Sequence, residues 1–184
     1  IDLPQYNFDM VRAGIMLYGL FPSKEVNHNV VNLKEVMCLK AQVSFVKTLH
    51  KGECVSYGLK YKCDKQSLVA TLPIGYADGY TRMLTGKAKV MVKDSKVPVI
   101  GNICMDQCLI DVTGLDVNIG DEVILFGGND SNGISIDSVA ESLNTINYEI
   151  TFYHYQVNWL IDIYIILFIT GFFNGIYFVS RTFI

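Results

Sequence analysis

The chain has 184 residues, with 15 lysines and arginines against 18 aspartates and glutamates, a formal charge of −3, and 51% apolar against 18% charged residues. That composition excludes an intrinsically disordered or collagen-like chain, and it leaves room for one full core and an appendage, not for two large domains. No basic block supplies an electrostatic footprint for a phosphate backbone, which argues against nucleic acid as a partner.

Three zones follow one another along the chain. Residues 1–25 open in mid-pattern: Ile1-Asp2-Leu3-Pro4 is neither a start methionine nor a signal peptide, and the short apolar run from Met16 ends at Pro22. This zone reads as the end of a larger fold. From about residue 35 to 127 the apolar pattern has period two, which predicts strands near Val36–Leu49, Leu68–Pro73, Ala88–Val92, Val97–Ile100, Gln107–Val112 and Glu122–Phe126. Lys93-Asp94-Ser95-Lys96 and Asn118-Ile119-Gly120-Asp121 supply turn residues between them. Strands this short and frequent predict a mainly β, antiparallel barrel or sandwich. One short helix is expected over Ile136–Leu143, with Ser135 as its N-cap. The third zone is a hydrophobic tail, residues 156–184, in which Ile163–Ser180 carries no formal charge over 18 residues. It only just reaches membrane-spanning length, so a membrane span, a buried terminal segment and a stretch foreign to the fold all stay open.

Five cysteines (Cys38, Cys54, Cys63, Cys104, Cys108) are an odd number without C-x-x-C spacing, which indicates neither a disulfide framework nor a zinc ribbon. A reducing, cytoplasmic setting is the simplest reading. His28, His50 and His154 lie far apart with no carboxylate at ligand spacing, so no metal site is expected.

Chemistry-bearing residues gather in five clusters: Val11-Arg12-Ala13-Gly14-Ile15, Val55-Ser56-Tyr57-Gly58, Gly75-Tyr76-Ala77-Asp78-Gly79-Tyr80, Ile103-Cys104-Met105-Asp106-Gln107 and Thr145-Ile146-Asn147-Tyr148-Glu149. A tyrosine beside a glycine at a strand end is, taken singly, most often just packed. In this order and spacing, however, the clusters resemble the C-terminal part of the alanine racemases over about residues 8–152. Those are pyridoxal-phosphate enzymes with an N-terminal (β/α)8 barrel and a C-terminal β domain.

The resemblance implies a division at residues 1–25 (end of the barrel), 26–155 (β domain) and 156–184 (tail). It places Arg12 opposite the pyridine nitrogen of the cofactor, where a cation discourages ring protonation. It assigns the backbone of Gly14 and Ile15, with the hydroxyl of Tyr148, to the cofactor phosphate. Tyr57 matches the catalytic tyrosine, one of the two acid/base groups that inversion at the α-carbon needs, one on each face. Tyr76 matches a tyrosine that narrows access to the site, and Met105 and Asp106 lie at positions beside the substrate carboxylate. An equal reading of Asp106 is a turn cap. Arg82 resembles an arginine near the subunit interface, and its alternative is an ordinary surface charge.

The implied unit is a homodimer in which Tyr57, Tyr76, Met105 and Asp106 serve the partner's site. Alanine for cell-wall D-alanine supply is the implied substrate, with serine or another small amino acid as the alternative. A non-catalytic β-barrel module tethered to a membrane through residues 163–180 is the other competing reading. The sequence also departs from the family. None of its 12 lysines sits in a K-A-N-A-Y-G stretch, the motif that carries the cofactor-anchoring lysine, so the chain alone is expected to be inactive. Gln156-Val157-Asn158-Trp159 stands where a basic R-V-P-R stretch would continue, and Asn102 replaces a frequent arginine.

Overall fold

The alternating stretches form nine strands in the computed structural model of the chain, which describes residues 1–128 and 133–157. They are β1 (Leu39–Gln42), β2 (Phe45–Leu49), β3 (Cys54–Val55), β4 (Tyr61–Lys62), β5 (Ser67–Leu72), β6 (Lys89–Val92), β7 (Ser95–Ile100), β8 (Cys108–Asp111) and β9 (Glu122–Phe126). Seven of them build one sheet in the order β1-β9-β6-β7-β8-β5-β2, and every pair in it is antiparallel.

The two edges of that sheet are consecutive in the chain. The single strand expected over Val36–Leu49 is instead two, joined at Val43 and Ser44. The Val43 amide donates to Asp121 O at 2.9 Å, and the Ser44 amide donates to Thr71 O at 2.9 Å. One residue thus belongs to the β9 side and the next to the β5 side, so the bend curls the sheet on itself.

The interior follows from strand alternation. Ala70, Leu72, Val90, Val92, Val99, Ile110, Val112, Val123 and Leu125 are buried in one cluster with Val43. Deleting the side chain of Leu72 or Ile110 there removes roughly 2–5 kcal/mol of stability. A smaller cluster of Leu49, Cys63, Val69 and Ile100 lies against the short β3–β4 hairpin. Tight turns close the ladder. Lys93 and Asp94 have φ of 46° and 59°, the left-handed pair that a two-residue hairpin turn requires. At the Asn118–Asp121 turn the Asn118 amide donates to Asp121 Oδ2 at 2.7 Å. That bond and the neighbouring Lys93 ammonium hold the Asp121 carboxyl below its ordinary pKa.

Helix α1 spans Ile136–Leu143 as expected, with the Ser138 amide donating to the Ser135 hydroxyl at 3.2 Å. Ile136, Val139 and Ala140 are its buried face. A second helix, α2 (Asn147–Val157), adds to the one short helix expected from the sequence. Residues 1–25, expected as the end of a barrel, hold two 3-10 turns, Pro4–Tyr6 and Gly14–Tyr18, and no strand. A strand needs a neighbour for its backbone, and this segment has no strand beside it among the described residues. The sequence reading of residues 163–180 falls outside the described residues. Among those described, no helix is long and apolar enough to cross a membrane.

All five cysteines are free thiols. Burial raises the Cys63 thiol pKa and pushes that of Cys108 up to about 12, whereas Cys54 is exposed. Since the thiolate is the nucleophile, iodoacetamide at pH 8 will label Cys54 in the native protein and Cys63 and Cys108 only after unfolding. Native labelling of Cys108 at the rate of Cys54 would contradict this packing.

Candidate active site

Tyr57 opens a 3-10 turn (Tyr57–Leu59) directly after β3, and its ring is 79% exposed. The turn is fastened to the loop after β7. The Asn102 amide donates to Ser56 Oγ at 2.7 Å, Ser56 Oγ donates back to Asn102 O at 3.0 Å, and Asn102 Nδ2 donates to Tyr57 O at 2.9 Å. Gly101 makes this approach feasible, because a Cβ on it would lie 2.3 Å from that of Ser56.

The same loop continues into Cys104-Met105-Asp106, onto which the Tyr76 turn (Tyr76–Asp78) docks. The Tyr76 amide donates to Cys104 O at 3.0 Å, and the Ala77 amide to Met105 O at 2.9 Å. Asp78 Oδ2 accepts from the Gly75 amide at 2.9 Å, which closes the turn on itself. Tyr57, Asn102, Met105, Asp106 and Tyr76 therefore sit on loops tied to one another by short bonds. Met105 and Asp106 are exposed, and Tyr76 is half-exposed. Arg82, in the next 3-10 turn (Arg82–Leu84), is exposed as well.

A second group lies along α2. That helix packs against the Tyr76–Asp78 turn. Tyr148 is on its first turn and is 39% exposed. Asn147, buried beside it, donates through Nδ2 to Phe21 O at 2.9 Å and to Asp137 Oδ1 at 2.8 Å. Asn147 thereby stitches the start of α2 to α1 and to the segment that follows the Gly14–Tyr18 turn. The side chain of Ile15 is buried in the main core together with Ile150 of α2, which holds that turn down. Gly14, at φ 59°, has nothing within 4 Å of where a Cβ would be, so its backbone is open to approach. Arg12 is exposed just before it. Replacing Asn147 by alanine removes two bonds and leaves Phe21 O bare, at a cost of about 1–3 kcal/mol. Urea unfolding measures it, and an unchanged midpoint would contradict the bracket.

Sequence motifs single out the candidate tyrosines but not the residues that support them. Ser56 and Asn147 stand inside two of the tyrosine-bearing clusters, and that adjacency is the only sequence signal for their supporting role. At Asn102 the sequence shows only the absence of a charge, whereas the structure gives it a bond to Tyr57. Among the described residues no group of three or more His, Cys, Asp or Glu could hold a metal ion.

The family model for the C-terminal domain of alanine racemase matches residues 36–156. The chain belongs to the alanine racemase family. It is 53% identical over 151 residues to alanine racemase 1 of Clostridium acetobutylicum, covering 82% of this chain and 39% of that protein. It is 54% identical over 153 residues to the alanine racemase of Clostridium perfringens strain ATCC 13124, with the same shares. Among solved structures, the alanine racemase of Clostridium difficile 630 in complex with cycloserine superposes with a TM-score of 0.77 at 41% identity, covering 83% of this chain and 40% of that one. The Bacillus anthracis alanine racemase with bound L-Ala-P superposes with a TM-score of 0.71 at 38% identity, covering 76% of this chain and 36% of that one. The chain thus spans about two fifths of the length of the alanine racemases it matches, and its mainly β fold is that of their C-terminal domain.

Proposed function

We propose that this chain is the C-terminal part of a pyridoxal-phosphate-dependent alanine racemase, which interconverts L- and D-alanine once joined to a barrel. The reading divides the chain into a barrel end (residues 1–25), a β domain (26–155) and a tail (156–184). The observation that carries it is the tethered rim: Tyr57, Met105, Asp106 and Tyr76 on interlocked loops, with Tyr57 presenting an exposed hydroxyl-bearing ring.

The donor set fits the cofactor. Arg12 is a cation, Tyr148 a neutral hydroxyl, and the amides of Gly14 and Ile15 open a helical turn and so have no acceptor within it. The neighbouring carboxylates are engaged: Glu149 accepts from the Thr145 hydroxyl, and Asp137 accepts from Asn147. In this reading Gly14, Ile15 and Tyr148 hold the phosphate, and Arg12 faces the ring nitrogen. When bound, pyridoxal phosphate supplies an electron sink that weakens the α-carbon–hydrogen bond of the amino acid.

Tyr57 then takes a proton from, or returns one to, one face of the α-carbon, and a lysine from the barrel serves the other face. In this reading the groups that prepare Tyr57 for proton transfer come from the barrel. Met105 and Asp106 orient the substrate carboxylate, and Tyr76 narrows the mouth. The exposed apolar groups of Tyr57, Leu59, Met83 and Met105 support a covered face, and in this reading a homodimer covers it, with the rim of one copy reaching the partner's barrel.

The test combines this chain with the barrel part of a clostridial relative, pyridoxal phosphate and L-alanine. The expected result is D-alanine formation only when both parts are present. Racemisation by this chain alone, or none by the assembled pair with cofactor bound, would overturn the reading.

A further inference from the structure

Tyr57 has an unusual footing. Ser56, the residue before it, adopts φ 70° and ψ 164°, a conformation that glycine alone adopts without strain. Such a backbone persists only where its surroundings over-determine it, and here they do. The Ser56 hydroxyl is held between the amide and the carbonyl of Asn102, at 2.7 and 3.0 Å. The carbonyl of Tyr57 is held by Asn102 Nδ2 at 2.9 Å. The Ser56 side chain and the peptide group that follows Tyr57 are therefore both anchored to Asn102, 46 and 45 positions away in sequence. The Tyr57 ring is 79% exposed, so neighbouring packing does little to set its direction, and the anchored backbone is what aims it.

We propose that Ser56 and Asn102 are positioning residues for Tyr57: the strained backbone of Ser56 and the held carbonyl of Tyr57 fix where its ring starts, so that the hydroxyl meets the α-carbon of the substrate. The inference rests on the reading of Tyr57 as a proton-transfer group. Asn102 is the sharper half. Its side-chain amide donates a bond that a carboxylate of the same size is unable to donate, while its backbone bonds to Ser56 are independent of side-chain identity.

Asn102→Asp and Asn102→Ala test it, with Ser56→Ala as a second break in the clamp and Tyr57→Phe as reference. In the full 184-residue chain, both Asn102 variants are expected to speed amide hydrogen exchange at Gly58 and Leu59 while the melting temperature stays put. In the enzyme assembled with a barrel part, kcat/KM should fall roughly 10- to 100-fold, the scale of a misplaced reacting group. The fall must be equal in both directions, because the two enantiomers have equal free energy. The primary deuterium isotope effect, by contrast, should grow for one enantiomer of α-deuterated alanine and not for the other, with cofactor absorbance and affinity unchanged. A purely structural role would lower the melting temperature and leave isotope effects alone. That outcome, or wild-type exchange at Gly58 and Leu59 in both Asn102 variants, overturns the proposal. If Tyr57→Phe itself racemises at the wild-type rate, the failure belongs to the reading of Tyr57, and the clamp loses its purpose with it.

Discussion

Tyr57→Phe is expected to lower racemisation by the assembled enzyme by about 10²- to 10⁴-fold, the range that a positioned acid/base group supplies. Phenylalanine keeps the ring and removes only the proton-carrying oxygen. Because Tyr57 is exposed, the substitution should leave the stability of the domain within about 0.5 kcal/mol of the parent. Rate and stability therefore separate cleanly. Enantiomers are equal in free energy, so the loss must be the same from L- and from D-alanine. Chiral chromatography of both reactions measures it, and retention of the parent rate would remove Tyr57 from the chemistry.

Gly75→Ala should cost about 2–3 kcal/mol and detach the Tyr76 turn from the Met105 loop. The reason is steric and not conformational: Gly75 has φ −147°, an extended backbone that any residue adopts. Its missing Cβ would lie 2.3 Å from Cys104 O and 2.5 Å from Met105 C and O. Those are backbone atoms held by the bonds from Tyr76 and Ala77, so they have no free rotor to swing aside. Gly86→Ala is the matched control. It has φ 72° with nothing within 4 Å of the new carbon, so only the left-handed conformation opposes it, at roughly 1 kcal/mol. Urea melts of the two variants rank the effects, and a smaller loss for Gly75→Ala than for Gly86→Ala would contradict the docking of the two loops.

The fold was legible where local chemistry and tertiary environment agree. Strands β7 to β9 follow apolar alternation because one face of each meets the core, β6 is apolar and buried over consecutive Val90, Met91 and Val92, and α1 starts and stops where Ser135 and the left-handed Asn144 cap it. The break between β1 and β2 was not legible. Val43 and Ser44 carry no glycine or proline, and only the different partners of their two amides turn the chain. The α2 helix was hidden for another reason. Its stretch Tyr148-Glu149-Ile150-Thr151-Phe152 mixes aromatic and β-branched residues without a clear apolar stripe, and it is fixed by the burial of Asn147, Ile150 and Thr151. Motif spacing singles out Tyr57, Tyr76 and Tyr148 as candidates, but not the long-range bonds around them. The bracket from Asn147 to Phe21 spans 126 positions and the bond from Asn102 to Tyr57 spans 45, distances at which sequence carries no pairing signal.

The central claim is that this chain supplies one of the two proton-transfer groups of a racemase. The most direct measurement is the exchange of the α-hydrogen in D₂O by the assembled Tyr57→Phe enzyme, followed by NMR from each pure enantiomer. With Tyr57 disabled, the face served by the barrel lysine should still exchange, so one enantiomer gains deuterium without inverting while the other stays protonated. Equal exchange from both enantiomers, at the parent rate, would contradict the account.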